Sequence, residues 1–550
     1  MTARLLPILL AASTLSACAT APAAGPVEVQ LLAINDFHGN LEVPQSSESW
    51  LAEDGTERRE RVGGAARLAA ALAAQRRTNS LTVAAGDLIG ASPLTSALFL
   101  DEPSIKALSQ MRLDVASVGN HEFDRGTAEL RRMQAGGCER FTRRDPCALE
   151  PFAGAGFDYL AANVVAEDGT TLFPATAMRE VGGARIGFVG MTLEGTPGLV
   201  ADSATAGFRF LDEAETANRH ARELRAAGAD AVVVLIHQGG DMEPRFNLGP
   251  CPAISGDIGE IVARLDPAID LVVSGHTHRA YVCEGTNAAG GRVLLTSGGR
   301  FGGFLTDIAM VVDPAADRVL SVTARNLPVD GSAGEDADVA GTVAAYVAAA
   351  GPVVNRAVGT ITGEQVFDPD CGDTPAQDFI ADAYLHAGRA ALGESVDLAL
   401  VNSGGVRSQL AGAADGVLSY GELAQMAPFN NGLIVLEITG ADLAAAVQQM
   451  ICDDEICDSV LIPSAGAAIA IGEGRAVLSL DGQPLDPARR YRLVTNSFLA
   501  GGGDGFTRLK DARQVANIGF DIEGIEAYAA SGPLTVPTCG RVRGTPAADL

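Results

Sequence analysis

The sequence predicts an α/β protein with two domains, and three observations lead to this prediction. A chain of 550 residues is longer than one hydrophobic core usually accommodates. Over residues 27–330, short apolar runs alternate with alanine-rich, arginine-bearing stretches such as 65–77 and 212–227, which is the pattern of a layered α/β domain. A second series of helical and strand patterns occupies residues 353–550. We therefore expect two α/β domains in succession.

The segment between the two series predicts a linker. Residues 332–338 are small and acidic, residues 339–350 have a helical pattern, and Gly351 and Pro352 follow. We interpret 331–352 as a linker with a bridging helix. The later patterns predict helices at 376–392 and 440–450 and strands at 396–401, 476–480 and 491–495.

The first residues have the pattern of an export signal. Residues 1–17 carry one early positive charge, Arg4, then a short apolar core, and they end at the small-residue sequence LSAC. The apolar core is shorter than the ~20 residues that cross a bilayer, so we expect a signal peptide that is removed. The pattern resembles a bacterial lipoprotein box with Cys18 as the acylated residue, followed by a tether over 18–26. We expect an exported lipoprotein facing the periplasm or the cell surface; an ordinary secretory signal is the alternative.

Cysteine usage agrees with export. Of the nine cysteines, eight remain after Cys18, an even number as expected of a chain with disulfide bonds. Nearness in sequence suggests three bonds, namely Cys138 with Cys147, Cys251 with Cys283, and Cys452 with Cys457. These pairings leave Cys371 and Cys539 as the fourth pair.

The charge of the chain restricts its partners. The formal net charge of −28 argues against a nucleic-acid polymer, because no basic surface offsets the repulsion of its phosphates. A small phosphoester is compatible with this charge, since bound metal ions supply positive charge locally. We expect a soluble protein that acts on a small molecule and contacts a membrane only through its lipid.

Side chains of metal-ligand type follow five apolar runs. Each run is short enough to be a buried parallel strand, and such strands carry reacting groups at their carboxyl ends. The residues are Asp36 and His38 after 29–34, Asp87 after 81–85, Asn120 after 115–118, His237 after 231–236, and His276 and His278 after 269–273. We predict one site built from five strand ends.

The motifs around these residues, NDFHG, GD, GNHEFD and GHTH, resemble in order and spacing those of the 5′-nucleotidase family of two-domain metallophosphatases. The later stretches NSGGVR, PFNN and FLAGGGDGF resemble the C-terminal signature of that family. The resemblance implies that 27–330 is a four-layer, calcineurin-like metallophosphatase domain with two packed mixed sheets flanked by helices. It also implies that 353–550 is an α/β substrate-binding domain for nucleotides.

The resemblance further implies a pair of divalent metal ions. Two cations ~3.5–4 Å apart activate water for attack on phosphorus and neutralise the phosphoryl oxygens. The family pattern assigns Asp36, His38 and His278 to one ion, Asn120, His237 and His276 to the other, and Asp87 to both. Nitrogen and oxygen ligands without thiolate fit zinc or manganese, and also iron or cobalt, better than magnesium or calcium.

His121 has a different expected role in the family pattern. It acts as proton donor and charge stabiliser at the leaving group, and Asp124 holds its other ring nitrogen. A structural, hydrogen-bonding role for His121 is the alternative. His220 and His386 lie in helical patterns, and we interpret both as structural.

The C-terminal motifs imply a nucleoside pocket. In the family pattern, two aromatic rings enclose the base, an asparagine reads its edge, an aspartate accepts from the ribose, and an arginine binds the anionic group. The matching residues are Asn402, Arg407, Phe429, Asn431, Phe498 and Asp504. The alternative is that both phenylalanines belong to the core.

One segment departs from the family pattern. Gln377 and Asp378 stand where the family commonly has Gly-Asn, and the nearest preceding arginine is Arg356. Together with Asp370 and Asp373, Asp378 makes the segment acidic. This negative charge argues against recognition of a terminal 5′-phosphate. Cyclic nucleotides, dinucleotides and nucleotide sugars are therefore alternative substrates. A sulfur-ester hydrolase and a lipid-anchored binding module with an inactive site are the competing functions.

Overall fold

The computed structural model describes residues 25–544 except 53–54, 243–244, 252–253, 367, 369–370, 411–414, 430, 453–454 and 458. The predicted signal peptide, Cys18 and nearly all of the tether lie outside the described residues, as does Asp370.

The first part of the chain contains seventeen described strands and seven α-helices. The strands are β1 (Val27–Ile34), β2 (Glu48–Leu51), β3 (Glu57–Glu60), β4 (Ser80–Ala85), β5 (Val115–Ser117), β6 (Asp158–Leu160), β7 (Val164–Ala166), β8 (Thr176–Val181), β9 (Ala184–Thr192), β10 (Phe208–Phe210), β11 (Ala231–His237), β12 (Phe246–Pro250), β13 (Leu271–Ser274), β14 (Ala280–Thr286), β15 (Arg292–Gly298), β16 (Phe304–Asp313) and β17 (Arg318–Pro328). The helices are α1 (Ala65–Gln75), α2 (Leu94–Ala97), α3 (Glu102–Gln110), α4 (Gly126–Ala135), α5 (Glu213–Ala226), α6 (Asp257–Ala263) and α7 (Ala337–Val354).

Two mixed sheets form the centre of this domain. One has the strand order β17-β16-β1-β4-β5-β6 and the other β12-β14-β15-β13-β11-β9-β8. Their facing sides form one buried cluster, with Leu31 and Val83 from the first sheet and Phe188 and Val233 from the second. Because the inner strands are covered on both faces, their sequences are continuously apolar.

Helices cover the outer faces of the two sheets. Leu68 of α1 and Leu108 of α3 join the buried cluster on the outer side of the first sheet. Ala217 of α5 and Ile258 of α6 do the same on the second sheet. The domain therefore has the four layers expected from the sequence, helix, sheet, sheet and helix.

The strand directions bring the predicted site residues to one edge. Strands β1, β4 and β5 are parallel neighbours in the first sheet, and β11 and β13 are parallel neighbours in the second. The site residues lie in or just beyond the last residues of these five strands. Parallel strands present their carboxyl ends together, so the two sheets contribute to the same site.

Helix α7 connects the two domains. It runs through Gly351 and Pro352, one turn past the predicted end at residue 350, and Pro352 stands in its last turn, where it leaves one i→i−4 hydrogen bond unmade. Its length and mean hydropathy of 1.4 would suit a membrane span. However, it packs on other helices, and its Tyr346 ring contacts Phe99 at 4.9 Å and donates a hydrogen bond to Glu150 at 3.1 Å. Its Val339 lies in a buried cluster of the first domain and its Val354 packs against the core of the second, so the helix contacts both domains.

The second domain is also mixed α/β. Its strands are β18 (Ala357–Thr362), β19 (Leu398–Asn402), β20 (Val417–Ser419), β21 (Gly432–Thr439), β22 (Ile451–Cys452), β23 (Glu455–Ile456), β24 (Leu461–Pro463), β25 (Ala467–Gly472), β26 (Arg475–Leu480), β27 (Gln483–Pro484), β28 (Arg490–Asn496), β29 (Arg513–Phe520), β30 (Pro533–Thr535) and β31 (Val542–Arg543). Its helices are α8 (Pro375–Leu392), α9 (Tyr420–Met426), α10 (Gly440–Gln448), α11 (Ser497–Ala500) and α12 (Asp521–Ala529). The central sheet has the order β24-β19-β28-β21-β29.

All four suggested disulfide bonds are present: Cys138–Cys147, Cys251–Cys283, Cys371–Cys539 and Cys452–Cys457. The third joins the start of the second domain to its C-terminal end, across 168 residues of sequence. Paired cysteines are typical of an oxidising compartment outside the cytoplasm.

Candidate active site

The loops that carry the predicted ligands have an unusual backbone. Asp36, His38, Asp87, His276 and His278 all have positive φ, between 46° and 76°. Non-glycine residues rarely adopt this conformation, and such strain concentrates at functional sites. The tight turns direct side chains from both sheets toward one point.

The side chains form two groups of possible metal ligands. Asp36, His38 and His278 make one group, and Asp87, His237 and His276 make the other, with the ligand atoms in each within 4.8 Å of one another. In the first group, His38 Nε2 lies 3.1 Å from His278 Nε2, and His278 Nε2 lies 3.5 Å from Asp36 Oδ1. The family pattern divides Asp36 and the four histidines in the same way; it also assigns Asn120 to the second ion and Asp87 to both.

Asp87 lies between the two groups. Its Oδ2 is 3.0 Å from His237 Nε2 in its own group and 3.5 Å from His38 Nε2 in the other. Its Oδ1 accepts a hydrogen bond from the backbone N–H of His121 at 2.9 Å. One carboxylate can therefore serve both groups.

The ring orientations leave nitrogen atoms directed at the centre. His38 Nδ1 bonds to the carbonyl of Gly90 at 2.9 Å, and His237 Nδ1 bonds to the carbonyl of Ala85 at 2.8 Å. When Nδ1 donates to a carbonyl, Nε2 presents its lone pair, as in most metal-binding histidines.

Of the predicted ligand atoms that are buried, Asn120 Oδ1 and His237 Nε2 form no hydrogen bond among the residues the structure describes, although His237 Nε2 lies 3.0 Å from Asp87 Oδ2. Buried polar atoms are costly unless a partner satisfies them. An imidazole nitrogen and an amide oxygen beside a carboxylate are ordinary ligands of divalent transition metals. The residues present therefore fit two such ions.

Burial and neighbouring charges set the protonation of the site. Burial lowers the pKa of His38 and of His276 to about 3, and it holds the pKa of His278 well below its usual value. Burial opposes the charged forms of Asp87 and His237, but their mutual attraction outweighs it. The pKa of Asp87 is lowered, and that of His237 is raised to about 10. A proton on His237 would thus compete with a metal ion.

His121 lies beside His38 of the first ligand group. Its Nδ1 is 3.0 Å and 3.1 Å from the two oxygens of Asp124, and its ring centre is 5.1 Å from that of His38. Burial disfavours the imidazolium, but the Asp124 and Asp87 carboxylates raise the pKa of His121 above its ordinary value. The neighbouring carboxylates thus favour the protonated form of a ring beside the ligand groups.

Glu122 is a positioning residue that the sequence analysis left without a role. Its carboxylate accepts the backbone N–H groups of Asp87, Leu88 and Gly119 at 2.9, 2.8 and 2.6 Å. It therefore fixes the turn that presents Asp87. An acid between two ligand-type residues in the GNHEFD motif is the signal that could have identified it.

Glycine is required where the loops approach one another. A Cβ at Gly119 would lie 2.1 Å from Asp87 Oδ1, and a Cβ at Gly90 would lie 2.2 Å from the backbone oxygen of His121. Any side chain at either position would displace a predicted functional residue.

Arg407 and Phe429 of the second domain lie beside the ligand groups of the first domain. The Phe429 ring stacks on His121 with centres 5.6 Å apart and planes 18° apart, and the Arg407 guanidinium lies 5.9 Å from the Phe429 ring centre. Burial lowers the pKa of Arg407, and the Asp87 charge opposes this shift. These two predicted substrate residues therefore face the ligand groups.

The other predicted substrate residues bond within the second domain. Asn402 Nδ2 donates to Asp504 Oδ2 at 2.7 Å, and the backbone N–H of Asn431 donates to Asp521 at 3.0 Å. Phe498 packs over Gly503. The Phe498 and Phe429 rings make no direct contact with each other among the described side chains.

The acidic segment noted in the sequence turns away from the site. Asp373 accepts the backbone N–H groups of Gly540 and Arg541, both at 2.8 Å. Asp378 is fully buried, with Oδ2 3.4 Å from Arg541 Nε. Gln377 caps helix α8 through the backbone N–H of Thr374 at 2.9 Å. Asp373 and Asp378 therefore contact the C-terminal end of the chain, so their charges do not by themselves bear on recognition of a terminal 5′-phosphate.

Two family models match the chain. The calcineurin-like phosphoesterase model matches residues 29–280, and the 5′-nucleotidase C-terminal domain model matches residues 354–511. The first covers the two packed sheets, and the second covers most of the second domain.

Known relatives agree with these matches. Cell wall protein Lmo0130 of Listeria monocytogenes is 30% identical over 543 residues, covering 91% of this chain and 67% of that protein. Endonuclease YhcR of Bacillus subtilis is 30% identical over 492 residues, and the match covers 86% of this chain but 37% of that protein. The crystal structure of a 5′-nucleotidase precursor from Thermus thermophilus has a TM-score of 0.75, 24% identity and coverage of 94% and 99% of the two chains, and it shows the shared fold.

The fold and the paired ligand groups define a metallophosphoesterase, a class of hydrolases that use divalent metal ions. Within this class, the chain belongs to the 5′-nucleotidase family of two-domain enzymes.

Proposed function

We propose that the protein is an exported phosphoesterase that binds two divalent metal ions and hydrolyses nucleotides. The observation that carries the proposal is the position of Asp87, whose Oδ2 faces His237 at 3.0 Å and His38 at 3.5 Å, one histidine from each ligand group. Two ions bound by these groups would supply a nucleophile at neutral pH and positive charge at the phosphoryl oxygens. Zinc or manganese suits the ligands best, and iron or cobalt also suits them.

His121 would move the proton in this reaction. Asp124 holds Nδ1, which leaves Nε2 to face the leaving group, and the carboxylates of Asp124 and Asp87 raise the pKa of the ring against the effect of burial. A positioned acid of this kind typically contributes ~10²–10⁴-fold to the rate. Asp124 orients the ring and does not itself need to contact the substrate.

The second domain would bind the nucleotide. Arg407 carries a fork of N–H donors suited to a phosphoryl group, and Phe429 offers an aromatic face beside His121. Asn402, Asn431, Phe498 and Asp504 would complete the nucleoside site once a substrate replaces their present internal bonds. A substrate must then contact both domains at once.

The experiment is a substrate screen with purified protein loaded with manganese, zinc, cobalt or iron. The panel contains nucleoside mono- and diphosphates, a cyclic nucleotide, a dinucleotide, a nucleotide sugar, single-stranded DNA and p-nitrophenyl phosphate, with Asp87→Asn as the inactive control. Metal-dependent release of phosphate or nucleoside monophosphate from a small nucleotide supports the proposal. Hydrolysis of DNA alone would replace it with a nuclease function, as the name of the Bacillus relative suggests for that protein.

Export and lipid anchoring are part of the same proposal. The LSAC sequence at Cys18 and the four disulfide bonds support them. Intact-mass measurement of membrane-extracted protein should give a chain that begins at an acylated Cys18, whereas Cys18→Ser should leave the protein without lipid. A lipid-free wild-type mass would contradict the anchoring.

A further inference from the structure

Arg300 is an arginine at the metal centre that none of the sequence motifs identifies. It precedes Phe301, whose backbone N–H donates to the Asp36 carbonyl at 2.6 Å and whose φ is 58°. The Phe301 ring lies edge-on to His278 with centres 5.6 Å apart, and the Arg300 guanidinium lies 5.0 Å from the Phe301 ring centre. Arg300 therefore lies on the His278 side of the centre.

A hairpin of the first domain holds Arg300 in place. Its Nε donates to Glu48 Oε1 at 3.0 Å, and Glu48 begins strand β2. In the same strand, Trp50 packs against Phe304 of β16 with ring centres 5.7 Å apart, which anchors the hairpin to the first sheet. Glu48 bonds only to Nε of Arg300. The two terminal nitrogens make no hydrogen bond within the described part of the chain, and the side chain is 14% exposed.

Arg300 and His121 both border the histidine rings of the first ligand group. His121 contacts His38 at 5.1 Å, and His38 contacts His278 at 5.2 Å between ring centres. Phe301 contacts both His278 and His38, at 5.6 Å and 6.0 Å, and Arg300 lies over Phe301. The proton donor and a guanidinium therefore approach the same ligand group through different rings.

Arg407 and Arg300 occupy different positions around the centre. The Arg407 guanidinium lies 5.9 Å from the Phe429 ring centre, and Phe429 stacks on His121, so Arg407 is on the His121 side. The Arg300 guanidinium lies 5.0 Å from the centre of the Phe301 ring, which contacts His278. A phosphoryl group bound by Arg407 would leave the fork of Arg300 free for a second anion.

We propose that Arg300 binds a second anionic group of the substrate, so that the site favours nucleotides with linked phosphates, such as nucleoside diphosphates and dinucleotides, over monophosphates. This inference rests on the proposed function and specifies its substrate class. The planar fork of arginine pairs with two oxygens of one phosphate, and the Glu48 contact orients that fork without occupying it.

The test compares Arg300→Met and Arg300→Lys with Arg59→Met, a change at an exposed arginine of the same hairpin. Each variant is loaded with metal and assayed with a nucleoside diphosphate, the corresponding monophosphate and p-nitrophenyl phosphate. Arg300→Met should lower kcat/KM for the diphosphate by about 10–100-fold and change the other two by less than about threefold, because one charge-assisted contact is lost. Arg300→Lys should recover part of the loss, and Arg59→Met should match the wild type.

Equal losses for diphosphate and monophosphate would overturn the inference, since Arg300 would then act on the scissile group or on the fold. Unchanged values for both would overturn it as well. If the wild type hydrolyses p-nitrophenyl phosphate but no nucleotide, the proposed function fails separately. The role of Arg300 is then tested by inhibition of p-nitrophenyl phosphate hydrolysis in excess metal. Arg300→Met should weaken inhibition by inorganic pyrophosphate about tenfold and leave inhibition by orthophosphate unchanged. Equal changes for the two inhibitors would refute the role.

Discussion

The two domains prepare their parts of the site in different ways. In the first domain, the ligand-type side chains lie within a few ångströms of one another on strained, buried turns, with Asp87 Oδ2 only 3.0 Å from His237 Nε2. In the second domain, Asn402 and Asp504 bond to each other, and Asn431 bonds to Asp521. The first set is arranged for a metal centre, whereas the second is satisfied internally until a substrate arrives.

This difference indicates a division of labour. A metal centre needs fixed geometry, and strain in the turns is tolerated because two packed sheets hold both ends of each loop. A recognition site that exchanges internal hydrogen bonds for substrate bonds has a smaller net gain, so it can release its product. We expect damage to the first domain to stop the reaction and damage to the second to weaken binding.

The largest expected effect comes from Asp87→Asn. One carboxylate faces both ligand groups, and the amide would remove its charge from each. Metal analysis should show loss at both positions, and activity should fall below detection. Elemental analysis that finds two full equivalents of metal in the variant would contradict the shared role of Asp87.

His121→Ala should separate metal binding from turnover. The residue stands beside the ligand groups and is held by Asp124 at 3.0 Å, so its loss should lower kcat by ~10²–10⁴-fold with both metals retained. Asp124→Asn should give a smaller decrease, because the ring remains but loses its orienting charge. Loss of a metal ion in His121→Ala would make His121 a ligand and refute the assignment.

The fold of the first domain could be predicted from the sequence because its signals are local. An apolar run predicts a buried strand, and the residue that ends the run carries the chemistry, so the four-layer fold and the grouping of ligand-type residues followed from short motifs and the family resemblance. The positive φ values of five of these residues were not readable, since they depend on how loops from two sheets meet.

Other features depend on partners distant in sequence. Arg300 is oriented by Glu48, 252 residues away, and Arg541 donates two hydrogen bonds to Asp382, 159 residues away. No periodicity or spacing predicts such pairs. For the same reason the acidic character of the segment containing Asp373 was visible in the sequence, but the direction in which it faces was not.

Phe429→Ala and Phe498→Ala should sharpen the contrast between the domains. Each should raise KM for a nucleotide by roughly tenfold or more, because stacking on a base contributes ~1–3 kcal/mol, and leave p-nitrophenyl phosphate almost unchanged. Phe429 also stacks on His121, so its variant should lower kcat slightly more than the Phe498 variant. Equal KM changes for both substrates would show that the rings belong to the core and would remove the nucleoside pocket.

The smallest effect concerns a buried acid of the second domain that has no part in the site. Asp378 is fully buried, and burial raises its pKa to about 9 against the opposing charge of Arg541. Although Arg541 approaches it at 3.4 Å, the guanidinium donates two hydrogen bonds of 2.7 Å to Asp382, so we assign the proton to Asp378. Its ordinary pKa is 3.8, so folding takes up a proton between about pH 4 and pH 9.

Stability should therefore fall as the pH rises through that window, and Asp378→Asn, which cannot ionise, should escape this loss. Its Tm should exceed that of the wild type by roughly 2–4 °C at pH 8, and the difference should shrink toward pH 5. Asp382→Asn is the matched control, and it should lower Tm at both pH values because it breaks the paired contact with Arg541. A Tm difference for Asp378→Asn that stays constant from pH 5 to pH 8 would mean that Asp378 is ionised in the folded protein and forms a true ion pair with Arg541.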